Sequence, residues 1–181
     1  MINFDEEINR INTNSSKYDN MEKIYGIAPK GALAMWTADM DFKAPECVIE
    51  AVKELYTHGI FGYYGNQESY NSAVEKWYLT RHNWKIDEDS ISVVHGIVAG
   101  IGMAIQAFSN PGDGVIVFTP VYHSFLSMIK KNGRKLLEYP LIIEKKNYFI
   151  DFEQLGKSVN GNAKILLFCS PHNPGGKVWS K

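Results

Sequence analysis

From residue 45 onward, apolar residues recur in patterns that predict the elements of the chain. Pro45 stands near a helix start, Val48, Ile49, Val52, Leu55 and Tyr56 fall on one helical face, and Gly59 is placed to stop the turn. After the glycine-aromatic turn Phe61-Gly62-Tyr63-Tyr64-Gly65, Tyr70, Ala73, Val74, Trp77 and Tyr78 repeat at three- and four-residue steps, predicting a second helix. From residue 90 the pattern becomes short β-branched runs alternating with helical stretches, the grammar of βαβ units. Strands are predicted at Ile91-Ser92-Val93-Val94, at Val115-Ile116-Val117-Phe118, and over 135–139 and 164–169. Ile101, Ala104, Ile105 and Phe108 mark a helix that ends before Pro111-Gly112-Asp113-Gly114, and Phe125, Met128 and Ile129 mark another closed by Gly133. A loop and a short helix separate the last two strands, and Asp151 with Gln154 three residues on reads as the cap of that helix. Residues 1–43 have weak periodicity and predict an arm or irregular layer.

Composition narrows the class. In 181 residues, 45% are hydrophobic and 13% aromatic, enough for a sizeable core, and 22% are charged, which suits an exposed surface. The 19 basic and 20 acidic residues are scattered, giving a net charge of −1 with no basic run or acidic tail, so nucleic acid and anionic membranes are poor partners. Cys47 and Cys169 lie far apart with no spaced histidines to complete a metal site, and both are expected to be buried, reduced thiols. Acidic residues follow Met1 and Ile2 where a secretory signal would be basic, and no apolar run approaches the roughly 18–20 residues needed to span a bilayer. The expected compartment is the cytoplasm.

Open α/β sheets bind ligands beyond the carboxyl ends of their strands, which draws attention to three turns. His95-Gly96-Ile97-Val98-Ala99-Gly100 joins a strand to a helix, where a tight glycine turn and free helical N–H groups suit a phosphate. In Thr119-Pro120-Val121-Tyr122-His123, Tyr122 can offer its ring to a flat heteroaromatic ligand. In Ser170-Pro171-His172-Asn173-Pro174-Gly175-Gly176, two prolines hold the turn extended and aim the Asn173 amide. Each turn alone is also compatible with a purely structural role. His95, His123 and His172 lack metal-ligand spacing or an evident carboxylate partner and read as loop or packing histidines.

Five blocks occur in order: Met35-Trp36 with Ala38-Asp39-Met40-Asp41-Phe42, Phe61-Gly62-Tyr63, Pro111-Gly112-Asp113-Gly114-Val115, Thr119-Pro120-Val121-Tyr122-His123, and Pro171-His172-Asn173-Pro174-Gly175-Gly176-Lys177-Val178-Trp179. In register over nearly the whole chain, they resemble the class I/II aminotransferase superfamily, and most closely its cystathionine β-lyase branch of carbon–sulfur lyases. The resemblance implies a three-layer α/β protein of the aspartate-aminotransferase fold with a mixed sheet, of which this chain carries an incomplete large domain. Residues 1–44 would be an N-terminal arm and small-domain segment, and 45–181 the first part of the large domain. It implies pyridoxal 5'-phosphate as cofactor, with its phosphate held by the N–H groups of Ile97, Val98 and Ala99, its ring stacked by Tyr122 and its phenolic oxygen bonded by Asn173. Tyr63 would reach the phosphate of a neighbouring subunit, making the site a property of a homodimer, and Trp36, Ala38 and Asp39 would lie near the substrate carboxylate.

The family's Schiff-base lysine, ring-nitrogen acid and carboxylate-binding arginine follow the block that ends at Trp179. Lys181 superficially matches the serine-lysine context of that lysine but abuts the asparagine-proline block, and Lys177 is a turn residue of the block, so neither is assigned catalysis. The expected activity of the whole protein is β-elimination from a sulfur-containing amino acid, releasing thiol, pyruvate and ammonia, with the chain inactive by itself. The alternatives are aminotransfer on the same scaffold, or a non-catalytic truncated product that keeps the phosphate turn. A nucleotide-binding domain is weakened because the turn after residue 94 lacks the three-glycine fingerprint. In the family's sheet the first strand pairs with a later one, so residues 90–94 are expected to lack a neighbour and the isolated chain to be marginally stable or to aggregate.

Overall fold

A computed structural model describes residues 3–159 and 161–180; Lys181 and the first two residues, Met1 and Ile2, weighed above lie outside the described residues. The chain forms two compact units that divide between Gln67 and Glu68.

The first unit is built on helices. Two short ones, α1 (Ser16–Asp19) and α2 (Met21–Tyr25), occupy the stretch expected to be an irregular arm, too short to produce a readable period. Helix α3 (Glu46–His58) begins after Pro45 and ends at Gly59, whose φ of 75° is the left-handed conformation a non-glycine residue would resist. Its apolar stripe is not covered: Val48, Ile49, Val52, Leu55 and Tyr56 are between 40% and 62% exposed. Cys47, in the first turn of this helix, is exposed with it, and Cys169 is partly buried, so neither thiol has the full burial expected from sequence; both are free.

Helix α4 (Gln67–His82), which belongs to the second unit from Glu68 on, leads through a short 3₁₀ turn at Glu88–Ser90 to an extended segment and then to α5 (Ile97–Phe108). The strand expected over 91–94 is not formed. Ile91 is extended, but these residues have no ladder partner among the described residues, and a strand exists only through its neighbour. The sheet has the order β2-β1-β5, with β1 (Gly114–Thr119) in the middle, β2 (Lys135–Pro140) and β5 (Ala163–Leu166) on either side, and all three parallel. Strand β5 is shorter than the run 164–169 suggested, although Leu167 N–H still reaches the Ile116 carbonyl at 2.9 Å. Helix α6 (His123–Lys131) crosses from β1 to β2.

Val115, Val117 and Ile129 have no exposed surface and meet Ile105 and Val121 in the core between the sheet and helices α5 and α6. Burying one such side chain contributes about 1.5–3 kcal/mol. Gly114 permits the tight start of β1, since a Cβ there would stand 2.5 Å from Leu137 Cδ1 and 3.2 Å from the Asn162 carbonyl.

The loop expected after β2 contains a hairpin, β3 (Ile142–Glu144) with β4 (Asn147–Phe149), antiparallel. Its corner is Lys145-Lys146, with φ of 47° and 67°, a two-residue turn of positive φ that normally selects asparagine and glycine. The capping signal at Asp151 is real: its carboxylate accepts from Gln154 N–H at 2.8 Å and opens α7 (Phe152–Ser158).

Candidate functional site

Three sequence-predicted turns lie at one end of the second unit, and topology puts them there. Because β1 and β5 are parallel, the turns following their carboxyl ends, which carry Tyr122 and Asn173, leave from the same end of the sheet. Gly102 packs against Met128 and the Gln106 amide donates to Asn132 Oδ1 at 2.6 Å, so α5 and α6 run in the same direction. The start of α5, with Ile97, Val98 and Ala99, is therefore at the same end as Tyr122, the residue that precedes α6.

The start of α5 carries backbone donors that the helix itself does not use. Gly96 has φ 89° and ψ 145°, a region essentially reserved for glycine, and brings no side-chain cap. The helical ladder begins with Gly100 N–H donating to the Gly96 carbonyl at 3.1 Å, leaving the N–H groups of Ile97, Val98 and Ala99 without an acceptor along the helix. Together with the positive end of the helix dipole these amides suit a phosphate. The Ile97 side chain is exposed, so this end is open.

Tyr122 is partly buried, with its ring edge to face against His123 at 4.9 Å and Phe125 at 5.5 Å, contacts that restrict its orientation. Asn173 is exposed, and its side-chain amide has no hydrogen-bond partner among the described residues. Between these turns stands His172, buried and with Nε2 2.7 Å from the Pro120 carbonyl. A carbonyl only accepts, so Nε2 carries the proton and donates. Sequence gave no way to separate this histidine from an ordinary loop histidine, because its partner lies 52 residues away. A neighbouring cleft of about 550 Å3, lined by Phe118, Tyr148, Phe168, Lys177 and Trp179 among others, does not include Tyr122 or Asn173. Lys177 in that cleft places Nζ 5.5 Å from the Phe149 ring centroid, a cation–π contact.

The remaining expected residues belong to the first unit. Tyr63 is fully exposed. Trp36 donates its indole N–H to the Lys17 carbonyl at 2.9 Å and meets the Tyr25 ring edge to face at 5.2 Å, while Ala38 is exposed. Asp39 accepts from Arg10 at 2.6 and 3.0 Å, and Asp41 accepts from Arg10 at 2.6 Å and from Lys17 at 2.7 Å. Lys17, itself buried, also donates to the Asp39 carbonyl at 2.9 Å. Hydrogen bonds from Arg10, and then its charge and that of Lys17, hold Asp39 below the ordinary carboxylate value of 3.8 despite opposing desolvation. Asp41 is lowered first by its bond to Lys17 and next by Arg10, again against desolvation, and Arg10 is held more firmly protonated by the two aspartates. Arg10 and Lys17 were invisible as site residues because 29 and 22 positions separate them from Asp39.

Among the described residues no group of three or more histidine, cysteine or acidic side chains could hold a metal ion, and no helix is long and apolar enough to cross a membrane.

The family model "Aminotransferase class I and II" matches residues 34–181. The chain is 43% identical over 181 residues to "Cystathionine beta-lyase PatB" of Bacillus subtilis (strain 168), covering 99% of this chain and 46% of that protein. It is 31% identical to "Protein MalY" of Escherichia coli (strain K12), again over 99% of this chain and 46% of the relative. Among solved structures, cystalysin from Treponema denticola, which contains pyridoxal 5'-phosphate, superposes with a TM-score of 0.91 at 41% identity, covering 100% of this chain and 46% of that one. A pyridoxal-phosphate-bound C–S lyase from Staphylococcus hominis superposes with a TM-score of 0.86 at 34% identity, covering 98% and 45%. The chain thus spans just under half the length of these relatives, and its α/β architecture is the aspartate-aminotransferase fold read from the sequence blocks.

Proposed function

Because the chain belongs to the aminotransferase class I and II family, we propose that the whole protein is a carbon–sulfur β-lyase that uses pyridoxal 5'-phosphate. The observation that carries the cofactor reading is the uncapped start of α5, with three N–H groups left without helical acceptors at the end of the unit that also bears Tyr122 and Asn173. These residues fit the group. The amides of Ile97, Val98 and Ala99 would hold its phosphate, the Tyr122 ring would stack on the pyridine, and the unpartnered Asn173 amide would donate to the phenolic oxygen. When bound, the cofactor supplies the electron sink that lets an α-proton and then a β-thiolate leave.

The choice of a lyase is supported by relatives that carry that name over nearly all of this chain. The substrate is then a sulfur-containing amino acid such as cystathionine, and the net reaction adds water to yield a thiol, pyruvate and ammonia. In the first unit the Asp39 carboxylate is committed to Arg10 and its backbone carbonyl to Lys17, so Asp39 would hold this stretch of backbone, with Trp36 and Ala38, in a fixed shape for the substrate carboxylate. Tyr63, fully exposed, would serve the phosphate of a second subunit in a homodimer.

Incubating the full-length protein with cystathionine tests this reading. Release of free thiol and pyruvate in equal amounts is expected; amino-group exchange with a keto acid and no thiol would replace the lyase by an aminotransferase, the alternative on the same scaffold.

A further inference from the structure

We infer that His172 is a positioning residue that fixes the spacing between Tyr122 and Asn173. The inference rests on the cofactor reading above and adds to it a residue that touches neither cofactor nor substrate in that reading. Tyr122 and Asn173 come from turns after different strands, and nothing in the strand ladder reaches far enough to lock one turn to the other. The described ladder ends at Ile116 paired with Leu166, with one further bond from Leu167 to Ile116. Beyond it Phe118 packs on Phe168 at 6.1 Å, and Val121, Leu167 and Cys169 share the core cluster, contacts that bring the two segments together without fixing the direction of either turn.

His172 closes that gap. Its Nε2 donates to the Pro120 carbonyl at 2.7 Å, two residues before Tyr122, and its own backbone immediately precedes Asn173. The imidazole is only 2% exposed, so water does not compete for the bond. It is held from several sides. Trp179 meets the ring edge to face at 5.7 Å and Tyr148 lies at 6.4 Å. The backbone of the turn is also closed, with His172 N–H donating to the Lys177 carbonyl at 2.7 Å and Gly176 N–H to the His172 carbonyl at 2.5 Å. Gly175 is part of the same arrangement, because a Cβ there would stand 2.8 Å from Tyr148 Cε2 and 3.3 Å from His172 Cδ2. Nδ1 is buried with no hydrogen-bond partner, so the Pro120 bond is the ring's one polar tie among the described residues. A side chain kept for packing alone would not need that donor.

The test separates the donor from the bulk of the ring. In full-length protein stripped of cofactor, titration with pyridoxal 5'-phosphate followed by absorbance compares wild type with His172→Phe, which keeps a planar ring without the donor, and His172→Gln, which restores an N–H at similar reach. The Phe variant is expected to bind about tenfold more weakly and the Gln variant within about threefold of wild type, the range for one buried hydrogen bond lost or remade. The absorbance band of the bound cofactor should shift in the Phe variant and return in the Gln variant, a signature that a loss of packing alone would not split. If the Phe variant does not fold, Gly175→Ala supplies the second measurement, with an expected loss of about threefold as the added methyl displaces Tyr148 and His172. Wild-type affinity in the Phe variant, or in the Gly175 variant where that stands in, overturns the inference, as does a Gln variant that falls as far as the Phe variant. Wild-type protein that fails to bind pyridoxal 5'-phosphate overturns the cofactor reading, and this inference with it.

Discussion

In residues 68–180 the organising contact is dry: Val115, Val117 and Ile129 have no exposed surface, and α5 and α6 close over β1. In residues 3–67 the organising contact is ionic: Arg10 and Lys17 bind Asp39 and Asp41, while the apolar face of α3 stays open to solvent. Both units have apolar residues at helical spacing, so amphipathic pattern alone does not say where a core is. A stripe becomes a core only when a sheet or second helix meets it. The ionic arrangement has its own logic, since two cations and two anions satisfy one another and fix the backbone of the Trp36–Asp39 stretch by direction, which apolar contacts do poorly.

The largest effect is expected in the dry core. Ile129→Ala should lower stability by about 2–5 kcal/mol, read as a fall in the urea midpoint of the full-length protein and as loss of amide protection in peptides from 114–131. An unchanged midpoint would mean that the core around β1 does not hold the second unit together. Next comes Gly96→Ala, which forces a side chain into a backbone conformation that costs about 1–3 kcal/mol, with pyridoxal 5'-phosphate affinity expected to drop about tenfold. Retained affinity would show that the helix start is not the phosphate site.

The ionic side should respond to acid. Asp39 and Asp41 have folded values below 3.8, so the stability they give is present above the unfolded value and is lost as pH falls through the lower, folded values. Amide exchange in 3–67 should therefore accelerate as pH is taken below about 4, after correction for the intrinsic rate, and Asp41→Asn should flatten that dependence while leaving 114–131 unaffected. The smallest effect is expected at the exposed stripe: Val52, 58% exposed, should change stability by no more than about 0.5 kcal/mol on replacement by Ala. A loss of several times that in the full-length protein would reveal that another part of the protein covers α3.

What could be read from the sequence follows the reach of the interactions. Gly59 after α3, Gly133 after α6 and the Asp151 cap of α7 are local devices acting over a few residues, and each appears where expected. The hairpin at 142–149 escaped because Lys145-Lys146 carries a turn whose usual signal is asparagine-glycine. Residues 91–94 have the composition of a strand, but pairing depends on a neighbour that no local pattern supplies. For the candidate site, the glycine turn before α5, Tyr122 and Asn173 were legible as residues, and their common end of the sheet follows from topology. The tie through His172 and the anchoring of Asp39 by Arg10 and Lys17 span tens of residues and belong to tertiary structure.

A helix that opens on a glycine and leaves its first amides unclaimed has no means of choosing among small tetrahedral oxyanions. Inorganic phosphate and sulfate would occupy the same three donors, so loading with cofactor should be measurably poorer in phosphate or sulfate buffers than in an amine buffer of equal ionic strength. The choice of salt would then act as a competitive ligand at the start of α5, ahead of any effect it has on the reaction.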